Sequence, residues 1–202
     1  MKVALIGASG QAGSRILAEL IRRGHAVTGI VRHPEKIVAV AGVTARKGDV
    51  FDKAGLAALL KGHDAVVSSV HFSASDPNIL IEAVRASGVK RYFVVGGAGS
   101  LEVAPGVKLI DTPEFPAIYK VEAGKGGEFL DLLKQEKELD WTFLSPSAMF
   151  VAGERTGKFR LGMDQLLAND KGSSISFEDY AIAAVDELEK PAHSRQRFTI
   201  GY

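Results

Sequence analysis

Three features of the sequence predict an α/β protein built as a doubly wound parallel sheet with helices on both faces. Near-continuous apolar runs of strand length recur along the first hundred residues, and between them lie segments with helical spacing. The first run passes directly into G-A-S-G-Q-A-G at 7–13, three glycines with two residues between each and the next. At 202 residues, 46% of them hydrophobic, the chain supplies one well-buried core and is short for two ordinary domains, so 1–202 is read as a single domain.

Val3, Leu5 and Ile6 make the first strand, and Ile16, Leu17, Leu20 and Ile21 give the following helix an apolar stripe that Gly24 ends. Strands are expected at 26–31, 43–46 and 65–70, with Leu56, Leu59 and Leu60 marking a short helix before the last of these. A helix beginning near Pro77 carries Ile79, Leu80, Ala83 and Val84 on one face and stops at Gly88, before a fifth strand at 92–95. Residues 96–116 hold several Gly and Pro and little periodicity, which predicts a long loop over the carboxyl ends of the strands. A helix over 118–137 is expected to tolerate Gly124, Gly126 and Gly127, at about 1 kcal/mol each against Ala, because it approaches another backbone closely. A sixth strand at 141–144, part of a small hairpin at 158–161, a helix at 178–188 and a strand at 197–200 complete the chain. Trp141 is expected in the core, and the last part forms a small C-terminal segment on the substrate side.

The glycine loop carries the chemistry. A strand that stops at Gly7, turns through Ala8, Ser9 and Gly10 and enters a helix at Gln11 leaves main-chain N–H groups of Gln11, Ala12 and Gly13 without partners, which suits a pyrophosphate. Gly7 permits the turn, Gly10 lets the backbone approach phosphates, and Gly13 lets the helix pack on the strand. A dinucleotide is the implied ligand. At the end of the second strand, where an NAD-type site places a carboxylate against the ribose, stand Arg32, His33 and, later, Lys36. A guanidinium there pairs with a 2′-phosphate, so NADP(H) is expected ahead of NAD(H), unless Arg32 is only a solvated loop cation. Arg15 either shares that duty or covers apolar surface with its stem. Asp49, beside Val50, is placed either to accept from the adenine amino group or to cap the helix near Lys53. Ser68, Ser69 and Val70 end the fourth strand beside the expected switch point, and Gly97 follows the fifth.

Composition excludes several classes. A formal charge of +1 and no basic run interleaved with aromatics argue against nucleic acid and membrane partners. Cys is absent and the five His show no H-x-x-x-H spacing, so neither a disulfide nor a metal site is expected. Met1 runs straight into a strand and no apolar run reaches membrane-spanning length, so a cytoplasmic protein is expected. Monomer and homodimer remain equally open.

G-A-S-G-Q-A-G at 7–13, G-D-V-F-D at 48–52, V-V-G-G-A-G-S-L at 94–101, L-D-W-T-F-L-S-P-S-A at 139–148, G-E-R-T-G-K-F-R-L-G at 153–162 and E-D-Y-A at 178–181 together resemble the NmrA-like NAD(P)H-binding group of atypical short-chain dehydrogenases. Within it the chain is similar to the bacterial NADH-flavin reductases related to the biliverdin-IXβ/flavin reductases. The resemblance spans nearly the whole chain. It implies a Rossmann-type domain that binds NAD(P)H and reduces a flavin, held as substrate rather than tightly bound, or another planar acceptor.

Ordinary short-chain dehydrogenases set a Lys four residues after a proton-donating Tyr. Here Tyr119 is followed by Lys120, position 123 is Ala, and Lys125 lies off the face of Tyr119. No catalytic residue is assigned. Flavin reduction tolerates that absence, because hydride goes to an electron-deficient ring and a proton follows from solvent. Candidate acceptor contacts are His71 and Phe72 after the fourth strand, Gly97 and Ala98 after the fifth, Ser145, Ser147 and Phe150 after the sixth, and Arg155 on a segment that closes over them. His71 is equally an ordinary loop histidine, Phe72 and Phe150 are either stacking platforms or core, and Lys120 either reaches the nicotinamide ribose or is solvated. Two alternatives stand beside the reductase: a non-enzymatic nucleotide sensor of the NmrA type, and a carbonyl or quinone reductase with a donor such as Ser145.

Overall fold

Alternate residues of the strands feed two separate cores. In β1 (Lys2–Ile6), Val3 and Leu5 point to one and Ala4 and Ile6 to the other, so every residue after Lys2 is buried. That two-sided burial is what a parallel sheet covered on both faces requires. The computed structural model describes residues 1–202.

The chain continues through α1 (Gln11–Arg22), β2 (Ala26–Val31), β3 (Val43–Lys47), α2 (Lys53–Leu60), β4 (Ala65–Ser68), α3 (Pro77–Ser87) and β5 (Arg91–Val95). It then forms β6 (Glu102–Ala104), β7 (Val107–Lys108), α4 (Lys120–Gln135), β8 (Asp140–Pro146), β9 (Met149–Val151), β10 (Arg160–Gly162), β11 (Ser174–Ser176), α5 (Phe177–Glu189) and β12 (Gln196–Gly201). Eight strands make one sheet in the order β10-β12-β8-β5-β4-β1-β2-β3, parallel throughout except for β10, which runs antiparallel to β12. The strand order reverses between β1 and β4, whose carboxyl ends open a crevice. On one face Ile16 and Leu20 of α1 pack beside Tyr180, Ala184 and Val185 of α5. On the other, Leu56 of α2, Leu80 and Val84 of α3, and Phe129 and Leu133 of α4 cover Tyr92, Val94, Trp141 and Phe143.

Local chemistry sets the ends of the helices. The Asp52 carboxylate accepts from Gly55 N at the start of α2, Asp76 accepts from Asn78 N with Pro77 in the first turn of α3, and Ser176 accepts from Asp179 N at the start of α5. Gly88 ends α3 in the left-handed region.

Three expectations change, and one strand pair is added. Residues 96–116 are not one irregular loop: β6 and β7 pair antiparallel across a turn through Gly106. Both strands are short and largely exposed, so no apolar alternation marks them. The segment at 158–161 does not form a hairpin; β10 adds to the sheet edge, where Arg160 pairs with Gly201. The parallel pair of β9 and β11 was unforeseen, with three residues in each strand. Finally, α4 starts only at Lys120, after a 3-10 turn over Ala117–Tyr119. Among its glycines only Gly126 is crowded, and what it approaches is a ring rather than a backbone: a Cβ there would lie 2.9 Å from Phe72.

Candidate functional site

Gly7 ends β1 with φ +82°, donates to Ile30 O at 2.9 Å and accepts from Gly10 N at 3.0 Å, which closes the turn that starts α1. Gly10 is the N-cap of α1, and no side chain caps the helix or places an acid in its first turn. The leading N–H groups of α1 are therefore left for an external anion. Gly13 lies beneath them, where a Cβ would fall 2.2 Å from Gly7 O; its task is packing, and it is not on the cleft wall.

The loop opens into a cleft of about 720 Å³ across the carboxyl ends of the strands. Gly7, Ser9, Gly10, Gln11 and Ala12 form its floor, and Arg32, Asp49 and Val50 one end. Ser69, Val70 and Gly97 lie at its middle. His71, Phe72, Ala98, Glu122, Ser147 and Phe150 line the side reached from β4, β5, β8 and α4. Arg32 is exposed and has no ion-pair partner, whereas His33 turns to Glu35 at 3.2 Å and stays off the wall. Asp49 does not cap α2, a task that falls to Asp52; it accepts from Phe51 N at 2.9 Å. Ser68 is buried outside the cleft, one residue short of its lining.

Several expected contacts prove structural. Phe72 is 8% exposed, stacks on Phe143 at 6.1 Å and meets Phe129 edge-on at 5.9 Å, so it only edges the cleft and serves the core. Phe150 packs against Phe177 at 4.5 Å and Tyr180 at 4.7 Å while still facing the cavity. Ser147 donates to Ile200 O at 3.0 Å. Ser145 is fully buried within β8 and does not reach the cleft; its hydroxyl has no partner, which removes the geometric basis for a proton donor there. Trp141 lies in the core as expected.

Arg155 does not close over the cleft. It makes a two-pronged pair with Glu19 of α1, at 2.8 and 2.9 Å, and neither residue lines the cleft. Along the same segment Gly153 N donates to Glu178, Ser176 donates to Glu154 O, and Gly157 N donates to Asp179 at 2.8 Å. Glu-Arg-Thr-Gly at 154–157 is a clasp joining α1 to α5. Arg15 belongs to the same system: it donates to Glu178 at 3.0 Å and lies 5.6 Å over the Phe177 ring, so it is not free for phosphate.

Sequence reasoning missed Glu122. Its carboxylate accepts from Phe72 N at 2.7 Å and Ser73 N at 2.9 Å, and His71 Nδ1 stands 3.4 Å away. Partial burial pushes its pKa up, but the hydrogen bonds from Ser73 and Phe72 outweigh burial and hold it below the usual carboxylate range. An acid in the first turn of a helix was the available signal. Tyr119, Lys120 and Lys125 all stay off the cleft, and Lys125 pairs with Glu128. The titratable groups on the wall are Arg32, Asp49, His71 and Glu122.

The arrangement fits a dinucleotide: an uncapped helix start, a side-chain-free approach at Gly10 and an extended cleft at the switch point. No helix is long and apolar enough to cross a membrane. Known proteins agree with the fold throughout. The uncharacterized protein YwnB of Bacillus subtilis is 46% identical over 211 residues, covering 99% of this chain and 98% of its own. A Bacteroides thetaiotaomicron structure, provisionally described as an epimerase, is 44% identical with a TM-score of 0.95 over 100% of this chain and 96% of that one. A Streptococcus pneumoniae structure, provisionally described as an NADH-flavin reductase, is 38% identical with a TM-score of 0.82 over 100% and 99%. The model of the family described as NAD(P)H-binding matches residues 7–191, from the first glycine of the loop to just beyond α5, and the chain belongs to that family.

Proposed function

We propose that the protein is an NAD(P)H-dependent reductase, with NADPH preferred, that passes hydride to a free flavin or a similar planar acceptor. The observation that carries this reading is the pairing of an anion-ready helix start with a cleft that holds no Tyr or Lys. Carbonyl reduction and sugar epimerisation on the short-chain-dehydrogenase pattern use a Tyr–Lys pair, which this cleft lacks, whereas an electron-deficient ring needs only to be held face to face with its donor. The reading keeps the chain on the flavin-reductase side of the NmrA-like proteins.

The dinucleotide, when bound, supplies the hydride. The main-chain amides at Gln11 and Ala12 hold its pyrophosphate, with Gly7, Ser9 and Gly10 giving backbone access. Arg32 pairs with the 2′-phosphate, Asp49 and Val50 flank the adenine, and Ser69, Val70 and Gly97 lie along the ribose and nicotinamide. The acceptor occupies the end between His71, Ser147 and Phe150, where Phe150 gives it a partly apolar wall.

Acceptor-dependent oxidation of NADPH by purified protein, measured with riboflavin, FMN and a set of quinones, tests the proposal. Turnover with a flavin or quinone is expected. Tight NADPH binding with no oxidation by any acceptor would leave a nucleotide-sensing role in its place.

A further inference from the structure

Resting on the reductase reading, we infer that the acceptor is an uncharged ring system, and that the Glu122 carboxylate turns away acceptors that carry a phosphate or sulfonate. The two ends of the cleft differ in charge. At the nucleotide end stands Arg32, unpaired and exposed. At the acceptor end the wall is Phe72, Ala98, Ser147, Ala148 and Phe150, and its titratable groups are Glu122 and His71.

Glu122 is fixed there. Two backbone N–H groups, from Phe72 and Ser73, bind both of its oxygens, so the carboxylate cannot swing out of the cleft without losing both bonds. His71 is drawn toward it at 3.4 Å, so the only basic group of that end is turned to this carboxylate rather than held ready for a ligand anion. An acceptor phosphate entering this end meets a fixed anion within a Debye length of about 8–10 Å and no cation on the wall to answer it. A neutral isoalloxazine or quinone loses nothing by the same encounter. Selection by charge at one end therefore complements anion capture at the other, and it keeps the acceptor end from competing for the phosphates of the dinucleotide.

The test compares acceptors that share a ring system and differ by one anionic group: riboflavin against FMN, and 1,2-naphthoquinone against its 4-sulfonate. Binding is read by quenching of flavin fluorescence with NADP⁺ present, and turnover by NADPH oxidation. Riboflavin is expected to bind at least about tenfold more tightly than FMN at low salt, with the gap narrowing as salt is raised while riboflavin affinity stays level. Glu122→Gln is expected to raise the FMN-to-riboflavin affinity ratio by about fivefold or more, a ratio that a general loosening of the 71–73 turn would not move. FMN binding as tightly as riboflavin at low salt overturns the inference while leaving the reductase reading intact. Failure of every acceptor, neutral or charged, to oxidise NADPH overturns both.

Discussion

The carbonyl oxygen of Ser69 occupies the place where a side chain on Gly7 would stand: an ideal Cβ at position 7 falls 2.1 Å from it. The ends of β1 and β4 meet there, at the point where the strand order reverses, and the contact fixes the floor of the cleft. Gly7 also has φ +82°, a conformation that costs other residues about 1–2 kcal/mol even without a clash. Gly7→Ala is therefore expected to lose both stability and dinucleotide binding. A melting temperature lowered by at least about 5 °C checks the first, at ~2–4 °C per kcal/mol for a chain of this size. An unchanged melting curve would mean that the two strand ends can part at no cost.

Gly10 separates binding from folding. It has φ −74°, and a Cβ there meets Gly7 O at 3.3 Å and Ser69 O at 3.9 Å, so a side chain fits once the Gly7 carbonyl gives by a few tenths of an ångström. What it obstructs is the approach of a phosphate to the start of α1. Gly10→Val is expected to give a folded protein, with its melting temperature within a few degrees of the parent, and to weaken NADPH binding by more than about tenfold. Calorimetric titration measures this directly; full affinity would place the pyrophosphate elsewhere.

Arg32→Asp reverses the charge at the nucleotide end. A charge-assisted hydrogen bond to the 2′-phosphate contributes about 1.5–3 kcal/mol, so the ratio of NADPH to NADH affinity is expected to fall by roughly 10- to 100-fold. NADH binding itself is expected to hold or improve, since Asp can accept from a ribose hydroxyl. An unchanged ratio would remove Arg32 from the site.

The strands and the glycine turn were legible in the sequence because both are local. Val3 to Ile6 reads as a buried strand from its own composition, and the glycines at 7, 10 and 13 announce the turn because that strand precedes them and the apolar stripe of Ile16, Leu17, Leu20 and Ile21 follows. The clasp was not legible. Arg155 meets Glu19 across 136 residues, so nothing near Arg155 says whether it faces a ligand or a carboxylate. The same holds for β9 and β11, three residues each, whose pairing depends on where the strands before them leave the chain. Phe72 was ambiguous for a different reason: a residue just after a strand is at the cleft and beside the core at once, and only the space above Gly126 decides between them.

Phe72 should accordingly behave as core. Its ring fills the gap between Phe143, Phe129 and the bare surface of α4 at Gly126, and truncation leaves a cavity there. Phe72→Ala is expected to cost about 3–5 kcal/mol in chemical denaturation, the range for a buried Phe. If stability were kept and only acceptor affinity fell, Phe72 would be a stacking platform after all.

Acid should release the clasp. Glu19 is buried, which raises its pKa, yet the hydrogen bonds from Arg155 and Arg23 outweigh that and hold it below the ordinary carboxylate range. A carboxylate lowered in the folded state contributes stability that is complete above its unfolded value, near 4.3, and is lost as pH falls through the folded value. Glu122, Glu136, Glu178 and Glu189 are shifted in the same direction. The unfolding free energy is therefore expected to be level from about pH 6 to 8 and to drop below about pH 4.5. Glu19→Gln should be less stable at pH 7 by about 3 kcal/mol, since it leaves Arg155 and Arg23 short of their shared partner, and should lose less on acidification than the parent. Arg155→Ala should cost less, about 1 kcal/mol, because that side chain is 40% exposed and screened by solvent. Its acceptor affinity should match the parent's, because the clasp lies off the cleft. A drop in acceptor binding at full stability would return Arg155 to the site as a lid.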